Sequence, residues 1–296
     1  MDGFFNVNKA PGMTSFDVIK RLKKILPKNK FGHLGTLDPM AQGVLPVAVG
    51  FATRLIEYVS ETDKVYQAAM TLGGTSDTED AWGNIVYEPH IQFNEDALSG
   101  LLGKYTGNIL QVPPMYSAVH HKGDRLYELA RQGIIVDREA RPITIQYIRL
   151  LDIDKDSEGR PVLSLEVSCS KGTYIRTLCH DMGQDLGTGA YLSALTRIRA
   201  GVFTIDESYS LEEIEQQKDN LHELIKAVDY PLDHLGQITV DMDQLHRILN
   251  GNRVSINAIL PAGLIRIYDP QYRLVSIGEC ITEEKEVVLK PLKVFK

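Results

Sequence analysis

Gly32-His33-Leu34-Gly35-Thr36-Leu37-Asp38-Pro39, followed by MAQGVLPVAVGFATR at 40–54, sets an aspartate and a histidine among glycines. Gly32, Gly35, Gly43 and Gly50 permit backbone angles closed to other residues and let a ligand approach the main chain. Pro39 biases Asp38 away from the helical region toward an extended conformation. An aspartate on such a loop, near a histidine, is a candidate nucleophile or base. The plain alternative is an aspartate that bonds its own turn, as Asp-Pro sequences often do.

Outward from this loop, FFNVN at 4–8 reads as a strand and KAPGMTS at 9–15 as a turn. Thr14 and Asp17 suit a helix cap. Val18, Ile19, Leu22, Ile25 and Leu26 then share one helical face, with Lys20, Arg21, Lys23 and Lys24 on the other. KVYQAAMTL at 64–72 reads as a strand, GGTSDTEDAWGN at 73–84 as a loop, and 94–102 as a short helix. Residues 111–142 are polar and basic between prolines, with a short helix expected at Leu126–Arg131; so long an excursion is functional or disordered. Residues 162–169 alternate as a half-buried strand, and SKGTYIRTLCHDMGQDLG at 170–187 reads as a turn and helix. Ser210 and Glu213 form a capping box opening an acidic helix. After about residue 237 the short strands RIYD, LVSIGE and VVLKPLKVF suggest a small β-rich domain.

The chain of 296 residues, 43% apolar and 24% charged, has an ordinary soluble composition. It contains no apolar run long enough for a bilayer, and MDGFFNVNKA does not read as a signal peptide. Cys169, Cys179 and Cys280 form no CxxC pair, so a reduced cytoplasmic protein is expected. The net charge of −7 is unevenly spread. Residues 203–246 hold eleven acids against two bases, whereas residues 1–56 hold eight bases against three acids. Such a dipolar surface orients toward a polyanion, or is simply solvated. No phosphate-loop, HExxH or EF-hand pattern occurs, so neither cofactor nor metal is expected.

GHLGTLDPMAQGVLPVAVGFATR matches the pattern G-H-x-G-T-L-D-P at every specified position and resembles the catalytic motif of the TruB family of tRNA pseudouridine synthases. The resemblance implies that Asp38 is the essential catalytic residue. KVYQAAMTLGGTSDTEDAWG resembles the strand with the family's active-site tyrosine, here Tyr66. VPPMYSAVHHKGDRLYELARQGI and REARPITI resemble the family's thumb-like RNA-binding insertion, here about 113–142, and its exit. SCSKGTYIRTLCHDMGQDLG resembles the motif with the arginine partner of the aspartate, Arg176, and a tyrosine, Tyr174. GAYLSALTRIRAGVF resembles the segment whose leucine packs on the target base, Leu195. The first family motif, K-P-x-G-x-T-S, appears as Lys9-Ala10-Pro11-Gly12-Met13-Thr14-Ser15, with proline one place later, which leaves the shape of that turn open.

The implied fold is α+β: a mixed, largely antiparallel sheet flanked by helices at 1–237, then a small PUA-like RNA-binding domain at 238–296. The implied reaction detaches uracil from its ribose at position 55 of the tRNA T loop, rotates it and rejoins it through carbon, after the base is flipped out. Tyr66 would stack on the base, a contact worth ~1–3 kcal/mol, and is also a candidate base; a buried strand aromatic is the alternative. His33 is the side chain that would enter the RNA near the vacated position, or else a turn histidine. Arg176 would hold Asp38 ionised, as a two-nitrogen fork, or would meet a phosphate. The basic residues of the first helix, and Lys122, Arg125, Arg131, Arg138 and Arg141 of the insertion, suit phosphate contact, or solvation, and Lys9 is a candidate substrate-binding residue. A monomer without an obligate protein partner is expected. Competing readings are a non-catalytic RNA binder, a glycosidase, which needs a second active carboxylate, and a guide-RNA-dependent relative within a particle.

Overall fold

The computed structural model describes residues 1–59, 63–89, 91–121, 123–257, 260–283 and 286–295. β1 (Gly3–Lys9) leads through the turn at 10–13 into α1 (Ser15–Ile25). Thr14 caps it as its residue type predicts: Thr14 Oγ1 accepts from the Asp17 amide at 3.1 Å, and Asp17 Oδ2 accepts from the Thr14 amide at 3.1 Å. β2 (Phe31–His33), β3 (Gln42–Val49) and β4 (Lys64–Leu72) follow, then the hairpin β5 (Gly74–Ser76) and β6 (Ile85–Tyr87), which occupies part of the expected loop. α2 (Asp96–Lys104) starts two residues later than expected because Asn94 Oδ1 accepts from the Asp96 amide at 2.9 Å, an Asx turn preceding the helix. Next come β7 (Gly107–Gln111), the two-residue strands β8 (His120–His121) and β9 (Asp124–Arg125), and α3 (Leu126–Arg131), at the expected helix. β10 (Arg141–Lys155), β11 (Pro161–Cys169), α4 (Ile175–Asp185), β12 (Ala190–Ala200), β13 (Phe203–Thr204), α5 (Leu211–Gln216) and β14 (Ile225–Lys226) complete the larger part.

The principal sheet runs β14-β1-β3-β12-β4-β11-β10-β7, with β2 on β3 and β13 on β12. All its pairings are antiparallel except β12 with β3, where Thr196 faces Gln42 and Arg197 faces Gly43. In β3 the run from Val44 to Val49 is apolar and buried because both faces of the strand are covered. Phe5, Val7, Leu45, Val47 and Val49 enter one core with α1, α4 and α5, whereas Phe4, Val44 and Ala48 enter a second core with Phe203. This is the period-two alternation of a strand. Gly43 lets the parallel pair close: a Cβ there would lie 2.3 Å from the Arg197 carbonyl oxygen.

A second, five-stranded sheet has the order β15-β17-β18-β19-β16, from β15 (Gly236–Thr239), β16 (Val254–Ile256), β17 (Gly263–Tyr268), β18 (Leu274–Glu283) and β19 (Glu286–Val294), with α6 (Met242–Leu249) packed on it. β15 begins at Gly236, two residues before the expected division. Leu55, Leu232, Tyr268, Ile277 and Phe295 form one apolar cluster across the junction. The basic face of α1 is partly engaged by the acidic helix: Arg21 donates to Glu212 at 2.5 Å and to Glu215 at 3.0 Å. The acidic and basic segments therefore meet here rather than forming opposite faces.

Candidate active site

Ties from four directions hold the Asp38 loop. Ser15 Oγ accepts from the Leu37 amide at 2.9 Å and lies 3.2 Å from its carbonyl. The Gly12 amide donates to the Pro39 carbonyl at 2.9 Å, so the displaced-proline turn docks on this loop. Arg197 donates from Nη2 to the Gly35 carbonyl at 3.1 Å and from Nε to the Val44 carbonyl at 2.7 Å. Lys9 is fully buried; its ammonium meets the carbonyls of Ala10, Met13 and Pro39 at 3.0, 2.7 and 3.5 Å. Lys9, expected to bind substrate, is instead a tie beneath the loop. Burial lowers its pKa to about 8, against the opposing attraction of Asp38.

Arg176, in the first turn of α4 and 5% exposed, reaches Asp38 with one nitrogen, Nη2, 3.4 Å from Oδ1 and 3.2 Å from Oδ2. The expected two-nitrogen fork does not form, because Nη2 also donates to the Tyr116 carbonyl at 2.8 Å and Nη1 faces Asp80 Oδ2 at 3.9 Å. About a third of the Asp38 side chain stays open, but protein atoms crowd around it. Desolvation there pushes its carboxyl up; Asp80 adds to the rise, while Arg176 and Lys9 oppose it. A carboxylate so placed is more basic than one in water.

Tyr66 on β4 is buried and lies opposite Arg197 in the β4–β12 register, beside the pair Ala68 and Leu195. Burial raises the phenol pKa and the Arg197 guanidinium offsets part of the rise, so the ring is neutral at ordinary pH. Leu195, 7% exposed, shares a sheet face with Arg197 and Tyr66. His33 ends β2, on a strand rather than a turn. Its Nδ1 is buried without a partner, and burial lowers its pKa. It lines a cavity of about 350 Å³ with Gly35, Lys64, Lys171, Phe203 and Pro231.

Tyr174, just before α4, is clamped by Gln111, whose Oε1 accepts from its amide at 2.8 Å and whose Nε2 donates to its carbonyl at 3.0 Å. The Arg176 guanidinium lies 5.8 Å from the Tyr174 ring. Arg125 and Arg131 are exposed on the insertion, and Arg141 is exposed at the start of β10, opposite Gln111 in the β10–β7 register. Arg138 instead closes its root, donating to the Pro113 carbonyl at 3.1 Å. Lys122 lies outside the described residues. Among the described residues, no group of three His, Cys, Asp or Glu is placed to hold a metal, and no helix is long and apolar enough to cross a membrane.

The family model for the N-terminal domain of TruB family pseudouridylate synthases matches residues 23–175, and that for the tRNA pseudouridylate synthase B C-terminal domain matches 176–233. The chain belongs to the TruB family. It is 52% identical over 297 residues, covering 100% of this chain and 99% of the relative, to a tRNA pseudouridine synthase B of Syntrophomonas wolfei. It is 41% identical over 296 residues, 99% of this chain and 100% of the relative, to a tRNA pseudouridine synthase B of Clostridium acetobutylicum. In fold it is similar to a solved Cbf5-Nop10-Gar1 complex, with TM-score 0.74, 28% identity and coverage of 99% of this chain and 85% of that chain. An H/ACA RNP bound to a substrate RNA containing 2'-deoxyuridine matches at TM-score 0.73 and 26% identity, with the same coverages.

In this TruB-family isomerase two site residues escape sequence reading. Asp80 lies in an acidic loop where nothing separates it from Asp77 or Glu79. Arg197 carried a usable signal: it follows Leu195 by two residues in a strand, which puts both on one face.

Proposed function

We propose that this chain isomerises the uridine at position 55 in the T loop of transfer RNA to pseudouridine. The uridine is flipped out of the loop and no cofactor is used. The observation that carries this reading is the partly open Asp38 carboxylate, 3.2 Å from a buried Arg176 and near the Tyr66–Arg197 pair. Cleavage and re-formation of a glycosyl bond need one basic carboxylate and a surface that retains the freed uracil. Asp38 supplies the first; Tyr66 and Leu195 supply the second, Tyr66 as a stacking ring. Arg176 keeps the carboxylate ionised and oriented, and His33 enters the space the base leaves. Tyr174 borders the same cleft.

The exposed Arg125, Arg131 and Arg141, with Lys122, take phosphates of the T arm. In this reading residues 1–237 are the catalytic domain with its insertion at about 113–142, and 238–296 are a small PUA-like RNA-binding domain. The protein works as a cytoplasmic monomer without an obligate protein partner. The particle proteins it resembles in fold favour the guide-dependent alternative, but identity reaches 52% with a synthase that is named for tRNA and 28% with the particle protein.

The test is conversion of a T-arm stem-loop by purified protein without cofactor, beside Asp38→Asn. Pseudouridine from the wild type alone is expected. Binding without conversion by either protein replaces the reading with that of a pure RNA binder. Conversion by the variant removes Asp38 from its role.

A further inference from the structure

Trp82 is the only tryptophan of the chain, and 59% of it is exposed. It joins none of the four hydrophobic clusters found among the described residues, although an indole is among the side chains that gain most from cover. Its backbone is nevertheless fixed. The Trp82 amide donates to Asp80 Oδ1 at 3.0 Å, and Thr78 Oγ1 donates to the same oxygen at 2.8 Å. The neighbouring Ala81 amide donates to the Leu192 carbonyl of β12 at 2.9 Å. The other Asp80 oxygen faces Arg176, which faces Asp38. An uncovered aromatic ring thus stands on a rigid turn, two residues from a carboxylate of the cleft.

We propose that the Trp82 indole stacks on an unpaired base of the bound RNA beside the target uridine. The inference rests on the RNA-modifying function proposed above and extends its binding surface to the turn at 77–84. Every base offers a π face, so this contact adds affinity without selecting sequence. The Asp80 bond uses the Trp82 backbone, so side-chain substitutions leave that amide and the Arg176 geometry in place.

The full-length protein, titrated with a T-arm stem-loop, reports through its one tryptophan, while filter binding and pseudouridine formation are read on the same samples. Emission is expected to change in step with RNA saturation. Trp82→Ala is expected to weaken binding by roughly 5- to 150-fold, the range of one base–aromatic stack, and Trp82→Phe to recover most of that loss. Unchanged emission at RNA saturation, or unchanged affinity in Trp82→Ala, overturns the inference while conversion by the wild type leaves the functional reading standing. Emission that responds to protein concentration and not to RNA assigns the ring to a second copy of the chain, and also overturns it. Absence of both binding and conversion in the wild type removes the reading and this inference together.

Discussion

The Asp38 site and the insertion at about 113–142 use charge in opposite ways. In the cleft, Arg176 and Arg197 are 5% and 1% exposed, and each meets partners held by separate segments of chain. In the insertion, Arg125 and Arg131 are exposed, Ile135 is 81% exposed, and the local ties are short-range, such as Arg131 over the Tyr127 ring at 5.4 Å. Charge that takes part in bond chemistry must be oriented before substrate arrives, because reorganisation during reaction is costly. Charge that grips a polyanion works through counterion release and tolerates loose geometry. Single substitutions should therefore be severe in the cleft and mild in the insertion.

After the complete loss expected of Asp38→Asn, the largest effect is expected from Arg176→Gln, which leaves the Asp38 carboxylate without its nearest cation. Removing one preorganised charged or polar group from a reacting centre typically costs about 10²–10³ in rate, so single-turnover conversion should fall by roughly that factor. The rising limb of its pH profile should also move up, because Arg176 lowers the Asp38 pKa. A drop confined to RNA affinity would place Arg176 with the phosphate-binding groups and blur the contrast. Asp80→Asn probes the opposite sign. Asp80 raises the Asp38 pKa, so the acid limb should shift to lower pH while the maximal rate falls less than in Arg176→Gln. A limb that stays in place would show that Asp38 does not set it.

A third prediction concerns stability. The folded-state pKa of Asp38 lies above its ordinary value of 3.8. The ionised group is therefore disfavoured in the fold: its contribution is fully present below the unfolded value and lost as pH rises through the folded one. Asp38→Asn should melt higher than the wild type at neutral pH, and the gap should close on acidification below 3.8. Equal melting temperatures at neutral pH would mean that Arg176 and Lys9 fully offset the burial. The smallest effects belong to the insertion: Arg125→Ala or Arg131→Ala should each reduce the salt slope of RNA binding by about 1 and leave the saturated rate intact. A large rate loss from either would tie the insertion to the chemistry, through the Tyr116 carbonyl that Arg176 already holds.

Local elements were largely legible because their signals are local. Thr14 with Asp17, and Ser210 with Glu213, cap helices three residues away, and 64–72 folds as the strand its pattern suggests. One dense motif and its companions pointed to Asp38, Tyr66 and Arg176, and the fold brings these three side chains near one another. Lys9 misled because a lysine in a turn looks the same whether it faces solvent or folds under a loop. Arg21 likewise reads as free until α5 arrives to pair with it.

The sequence by itself determined the strand and helix periods, the caps, the glycines that permit the catalytic loop and the family to which the chain belongs. Only the tertiary structure decided which charges are buried together. Arg176 is 138 positions from Asp38, and Arg197 meets Gly35 across 162. Pairings over such distances follow from strand order and helix docking, which no local pattern encodes. The same packing sets the dielectric and the neighbours of Asp38, and with them the direction of its pKa.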